Sequence, residues 1–195
     1  MEKIVDLRLV EEPKRPLAMH PRKFGMWLFM ASVMMLFMSI TSAYIVRQAE
    51  GNWRYYDLPF LFYVTSVVII LSSVTMQLAY ISLKKDKLKN AKIMISTTSI
   101  LGVAFLVGQF IGWIQLVDNG IHLVGNPAES FFYLITGLHG IHIISAIVFL
   151  FIMLSAIFKG IAHSKNMAKM EMCTTYWHFL GGLWLYLFIF LLLYR

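Results

Sequence analysis

The chain is short of charge, of cysteine and of proline, and each shortage removes a class of protein. Charged residues make up 14% of its 195 positions, where a soluble domain carries about 25%. With 59% hydrophobic residues, it holds more apolar surface than a water-soluble domain of this length buries. A globular enzyme in water is excluded on that ground, and so is a disordered chain. The single cysteine, Cys173, excludes an internal disulfide and a cysteine-cluster metal site. The five prolines fall at 13, 16, 21, 59 and 127, which leaves long stretches free of helix breakers.

Those stretches are five apolar runs, near Phe24–Arg47, Pro59–Leu83, Lys92–Val117, Phe131–Phe158 and Cys173–Tyr194. Each exceeds the roughly 20 residues that a helix needs to cross a bilayer. Asp, Glu, Lys and Arg stand only at their ends. The sequence therefore predicts an all-α membrane protein, a bundle of five transmembrane helices in one domain over 24–195. A polar tail over 1–23 precedes it. That tail carries acids and is followed by a run too long for a signal peptide, so it reads as uncleaved. Connections of roughly 8 to 14 residues make consecutive helices antiparallel neighbours.

Basic residues set the orientation. The tail, the second connection with Lys92, and the fourth connection together hold 14 of the 17. The opposite side has Arg47, Arg54 and Arg195. The N-terminus is expected in the cytoplasm and the C-terminus outside, in a prokaryotic cell (inner) membrane. The formal net charge of +7 then needs no nucleic acid to explain it.

Ionisable groups inside a span are functional candidates by default. Here they are His139 and His142, one turn apart on the fourth run with Thr136 beside them, and His178 on the fifth. No carboxylate or lysine joins them, which argues against proton relays and ion-coupled transport. The lack of an inverted repeat or of Pro-broken helices argues the same way. Three histidines fall short of the four a membrane dihaem cytochrome needs, and a single haem or metal would lack an orienting carboxylate. Neutral imidazoles bonding between helices, or to lipid headgroups, are the expected use. Gly108 and Gly112 put a small face on the third run beside Gln109 and Trp113, suited either to tight internal packing or to docking another subunit. Gly181 and Gly182 are expected to interrupt the fifth run.

Four strings carry a family resemblance. They are Gly25–Ser32 (GMWLFMAS), Phe105–Gln109 (FLVGQ) with Trp113, Ser130–His142 (SFFYLITGLHGIH), and Tyr176–Phe179 (YWHF) with Trp184 and Leu187–Phe188. In this order they resemble subunit III of the haem–copper terminal oxidases, in its short five-helix bacterial form. The chain departs from the family pattern at Val33, Gly112 and Gly181, where acids are usual, and at Tyr80, where a histidine is.

The resemblance implies a non-catalytic accessory subunit of a cytochrome c oxidase that reduces oxygen and pumps protons. It implies no catalytic, cofactor or metal residue on this chain. Haem and copper are then expected in partner subunits I and II, with phospholipid held in a cleft. A larger respiratory supercomplex and membrane lipids are further expected partners. Gln109, Trp113, Thr136, His139, His142, Trp177 and His178 are the candidate polar helix or lipid contacts. The alternatives are a quinol oxidase subunit or a haem-binding electron-transfer subunit.

Overall fold

The computed structural model describes residues 21–160 and 167–194, and these form five helices. They are α1 (Pro21–Ala49), α2 (Phe60–Lys84), α3 (Leu88–Asp118), α4 (Pro127–Phe158) and α5 (Ala168–Leu193). All five are long and apolar enough to cross a membrane. Most of the predicted tail lies outside the described residues. Its last three residues belong to α1, which begins at Pro21, where a proline is tolerated because the first helical N–H has no partner in any case.

Four helix starts precede the expected runs: α1 opens at Pro21, α3 at Leu88, α4 at Pro127 and α5 at Ala168, the last bringing Glu171 into its first turn. The α2–α3 connection is three residues long, because α3 starts at Leu88 and carries Lys89 and Lys92 on its first turns. Long basic side chains are tolerated there because their stems lie on apolar surface while their heads reach the interface, and Lys92 Nζ sits 5.1 Å from the centre of the Phe158 ring. The turn closes through Asp86 at φ +52°, a left-handed conformation in which Asp is among the better-tolerated residues. Lys87 N–H reaches back to the Ser82 carbonyl at 2.9 Å.

At the opposite end, α4 starts four residues before the apolar run. Asn126 caps it by accepting from Ala128 N–H at 3.0 Å, and Pro127 opens the first turn. This brings Glu129 into the helix, so an acid does enter this fourth helix. Gly181 and Gly182 do not interrupt α5, which runs unbroken past them. There the backbone carbonyls find their partners within the helix, as an apolar medium requires.

The core joins α2, α3, α4 and α5 around Phe62, Phe105, Phe132, Trp177 and Trp184, all buried. The glycines of α3 explain how closely these helices meet. A Cβ on Gly108 would overlap the Thr65 methyl, one on Gly112 would stand 2.8 Å from the Phe62 ring, and one on Gly102 would stand 2.6 Å from the Trp177 ring. The small face of α3 thus serves internal packing and is not left for another subunit.

Helix α1 is attached more lightly. In its span 28% of residues are buried, against 56% for α5. It is fastened near both ends: Lys23 Nζ to Glu171 Oε2 at 2.7 Å, then Tyr44 Oη and Gln48 Nε2 both donating to the Tyr194 carbonyl at 3.0 and 2.9 Å. The Lys23–Glu171 pair and the Lys92–Phe158 contact gather the basic residues of several elements at one end of the bundle.

Gly108→Val is expected to cost about 1–3 kcal/mol of stability through overpacking against Thr65. Gly140→Val, where a Cβ meets nothing within 4 Å, is expected to stay within about 0.5 kcal/mol. Thermal unfolding of the two purified variants checks the difference.

Candidate functional site

Four hydroxyls inside the bundle follow one rule of construction, which the Thr174 hydroxyl, buried and unpartnered among the described residues, does not share. A Ser or Thr hydroxyl on a helix donates to a carbonyl three or four residues back, which leaves its oxygen free to accept. Ser66 Oγ donates to the Phe62 carbonyl at 2.7 Å, Ser72 Oγ to Ile69 at 2.7 Å, Thr65 Oγ1 to Phe62 at 3.1 Å, and Thr136 Oγ1 to Phe132 at 2.8 Å. Each of these oxygens then accepts from another helix. Trp184 Nε1 donates to Ser66 (2.9 Å), Trp177 Nε1 to Ser72 (3.1 Å), Gln109 Nε2 to Thr65 (2.8 Å) and Trp113 Nε1 to Thr136 (3.2 Å).

Of the seven residues singled out from sequence, Gln109, Trp113, Thr136 and Trp177 therefore lie in this seam between helices. The hydroxyls of α2 were missed. Their signal was available, because a buried indole N–H needs an acceptor and Ser and Thr are common ones between membrane helices.

The three histidines are placed differently from one another. His139 is 1% exposed, and neither ring nitrogen has a hydrogen-bond partner among the described residues. It lies against rings instead: Trp184 at 5.2 Å, Phe105 at 6.2 Å and Phe37 of α1 at 6.3 Å between centroids. His142 is half-buried, its Nδ1 2.7 Å from the Leu138 carbonyl and its ring 5.8 Å from Phe37. Next to it, the Ser145 and Tyr176 hydroxyls join α4 to α5 at 2.8 Å. His178 points elsewhere, its Nε2–H donating to Gln77 Oε1 of α2 at 3.2 Å. The structure does not bring the three together, and among the described residues no group of three His, Cys, Asp or Glu side chains could hold a metal ion.

Two features were not legible as sites. One is Glu129, whose side chain is 3% exposed and which accepts from Arg54 Nη1 at 3.1 Å and from His122 N–H at 3.1 Å. Asn126 lies beside this pair, accepting from Arg54 N–H at 3.2 Å and donating to the Asn52 carbonyl at 3.0 Å. Together they tie the α1–α2 and α3–α4 connections into one cap. Tyr56 packs under it, and burial first, with Tyr44, Glu129 and Tyr133 nearby, raises its phenol above the ordinary range.

The other is a trough between α1 and α5. Its two stretches share Met38 and Tyr186 and hold about 490 and 410 Å³. The first reaches Leu193 and Tyr194, and the second is bounded by Met34, Phe37, His178, Phe179, Gly182 and Leu183.

Fold and interior together define a multi-pass helical membrane protein built to pack, with no cluster of reactive groups among its described residues. Its class is narrowed by comparison. The sequence profile described as cytochrome c oxidase subunit III matches residues 52–195, and the chain belongs to that family. It is similar to the cytochrome c oxidase subunit 3 of Corynebacterium diphtheriae, at 27% identity over 85% of this chain and 84% of the relative. A protein of Staphylococcus saprophyticus named “Probable quinol oxidase subunit 3” is similar at 26% identity, with 85% of each chain covered. The cytochrome bo(3) ubiquinol oxidase subunit 3 of Pseudomonas aeruginosa is similar at 25% identity over 85% of this chain and 81% of the relative. The chain is thus an accessory subunit of a haem–copper oxidase complex, not catalytic by itself, and a multi-pass protein of the bacterial inner membrane.

Three outcomes are expected of the polar groups. Arg54→Ala leaves the buried Glu129 carboxylate with a single backbone donor and is expected to cost about 1–3 kcal/mol. Glu129→Gln keeps one oxygen to accept but turns its NH2 towards the other donor, with no buried charge left behind, and is expected to cost about 1 kcal/mol; denaturation of each variant reads the difference. His139→Phe removes two unpartnered nitrogens while keeping the ring contacts, so the thermal midpoint is expected to hold or rise. A clear fall would reveal a partner for His139.

Proposed function

We propose that this chain is subunit III of a cytochrome c oxidase, lying against the subunit that carries the haems and holding no redox group itself. The observation that supports this reading best is its membership of the family, read with the surroundings of its histidines. A copper centre or a bis-histidine haem needs ligand nitrogens that face one common space, which these three histidines do not share. His139 is walled in by three aromatic rings, His142 Nδ1 is engaged by the Leu138 carbonyl, and His178 Nε2 by Gln77. Haem and copper then belong to subunits I and II, and the assembly that reduces oxygen and pumps protons is completed by them.

The N-terminus is assigned to the cytoplasm and the C-terminus to the outside. On that assignment the lysine-rich end faces anionic headgroups, which attract each basic residue by about 1 kcal/mol. Phospholipid contact along this end, and packing on subunit I, are the means by which the chain supports the catalytic subunit. A quinol donor is the second reading, favoured by the relatives named as quinol oxidase subunits.

Purification in mild detergent tests the assignment. The chain is expected to co-purify with haem–copper subunits I and II, with a haem spectrum that His139→Ala and His178→Ala leave unchanged. Removing the chain is expected to shorten the number of turnovers before inactivation and to spare the initial rate. A Soret band on the isolated chain would overturn the proposal.

A further inference from the structure

The trough between α1 and α5 is built unlike the rest of the interior. Gly102, Gly108 and Gly112 let helices touch, whereas a Cβ on Gly182, which lines the trough, would meet nothing within 4 Å. Gly182 therefore keeps the floor of the trough open and serves no helix contact. The walls are apolar (Met34, Phe37, Met38 and Leu183), and the stretch around them holds about 410 Å³, within the roughly 300–1,000 Å³ of small-molecule sites. From His178 to Tyr194 the trough follows α5 for about 24 Å at 1.5 Å per residue. It is long and narrow.

In the stretch around Gly182 the polar group with free bonding capacity is His178; further along, the Thr41 and Tyr186 hydroxyls meet each other at 3.2 Å. With Nε2–H donating to Gln77 Oε1, a neutral imidazole keeps Nδ1 as an acceptor, and the Gln77 amide keeps its two N–H donors. None of these has a hydrogen-bond partner among the described residues. Depth restricts what uses them. Seven residues separate His178 from Glu171, so the imidazole lies about 10 Å further in than the Lys23–Glu171 ion pair. A phosphate headgroup belongs at the level of that pair, since a charge carried deeper is costly. A ligand that exploits His178 has a small uncharged head bearing a hydroxyl or carbonyl and a long apolar tail.

From this we infer that the α1–α5 trough binds an isoprenoid quinol or quinone. The ring lies beside His178 and Phe179, a quinol hydroxyl donates to His178 Nδ1 or, with the imidazole in its other tautomer and the Gln77 amide turned to donate to Nε2, a quinone carbonyl accepts from Nδ1–H, and the tail runs over Gly182 past Tyr186. Binding is all that is assigned here, and no electron transfer is invoked. The site is independent of the donor that feeds the complex.

The test uses the purified complex and a photoreactive azido-quinone with an isoprenoid tail, followed by peptide mapping. Label is expected on Met34–Met38 and His178–Tyr186, displaced by unlabelled quinone and unaffected by phosphatidylglycerol. His178→Phe is expected to lower labelling about five-fold, the worth of one hydrogen bond. Gly182→Leu, whose Cβ has open space and whose branch extends into the trough, is expected to abolish it. Both variants are scored on complexes that retain the chain, so a failure of assembly, which would count against the accessory role, reads out separately. Absence of label from these residues, displacement by phosphatidylglycerol, or full labelling of Gly182→Leu would each overturn the inference.

Discussion

The hydrocarbon layer offers no water to a buried N–H, and this constraint shapes the whole interior. Three tryptophans and a glutamine must donate somewhere, and each finds a hydroxyl whose own hydrogen is already spent on its helix. The seam that results is what gives four apolar helices one relative arrangement. Van der Waals packing alone distinguishes registers weakly, because lipid tails are as apolar as leucine. An indole displaced by one turn loses its acceptor, so the register is set by chemistry as well as by shape.

The bare face of α3 is the counterpart of that seam. Gly102, Gly108 and Gly112 let Trp177, Thr65 and Phe62 come against the α3 backbone, and that approach brings Gln109 within reach of Thr65. Gly108 and Gln109 meet the same residue of α2, one through its absent side chain and the other through its amide. Close packing and polar satisfaction are here one device.

The helices were legible in the sequence because an apolar run of twenty residues has few other uses. Gln109, Trp113, Thr136 and Trp177 were legible because a polar or amphipathic side chain at mid-span asks for a partner. Their acceptors on α2 were not, since a serine in a membrane helix satisfies itself and leaves no mark of serving another chain segment. Glu129 escaped for a different reason. It stands two residues outside the apolar run, and only the Asn126 cap and the distant Arg54 turn that position into buried helix. The trough was hidden because it is made by how two helices stand apart, which no local pattern encodes.

That separation gives the fold a physical division. Helices α2–α5 share the core rings and the hydroxyl seam, while α1 meets them through Phe37 and Met30 on one face and is fastened near its ends. The family profile matches from residue 52, at the start of this four-helix unit. The unit has its own reasons to hold one arrangement; α1 has fewer. Between those fastenings the Thr41 and Tyr186 hydroxyls meet at 3.2 Å, and beyond that pair the space is governed by side-chain size, where the small residue Gly182 faces the flexible Met34 and Met38. Thioether side chains adapt their shape at little cost. The same light attachment that leaves α1 outside the seam is therefore what makes a ligand-sized space between α1 and α5 compatible with a stable bundle.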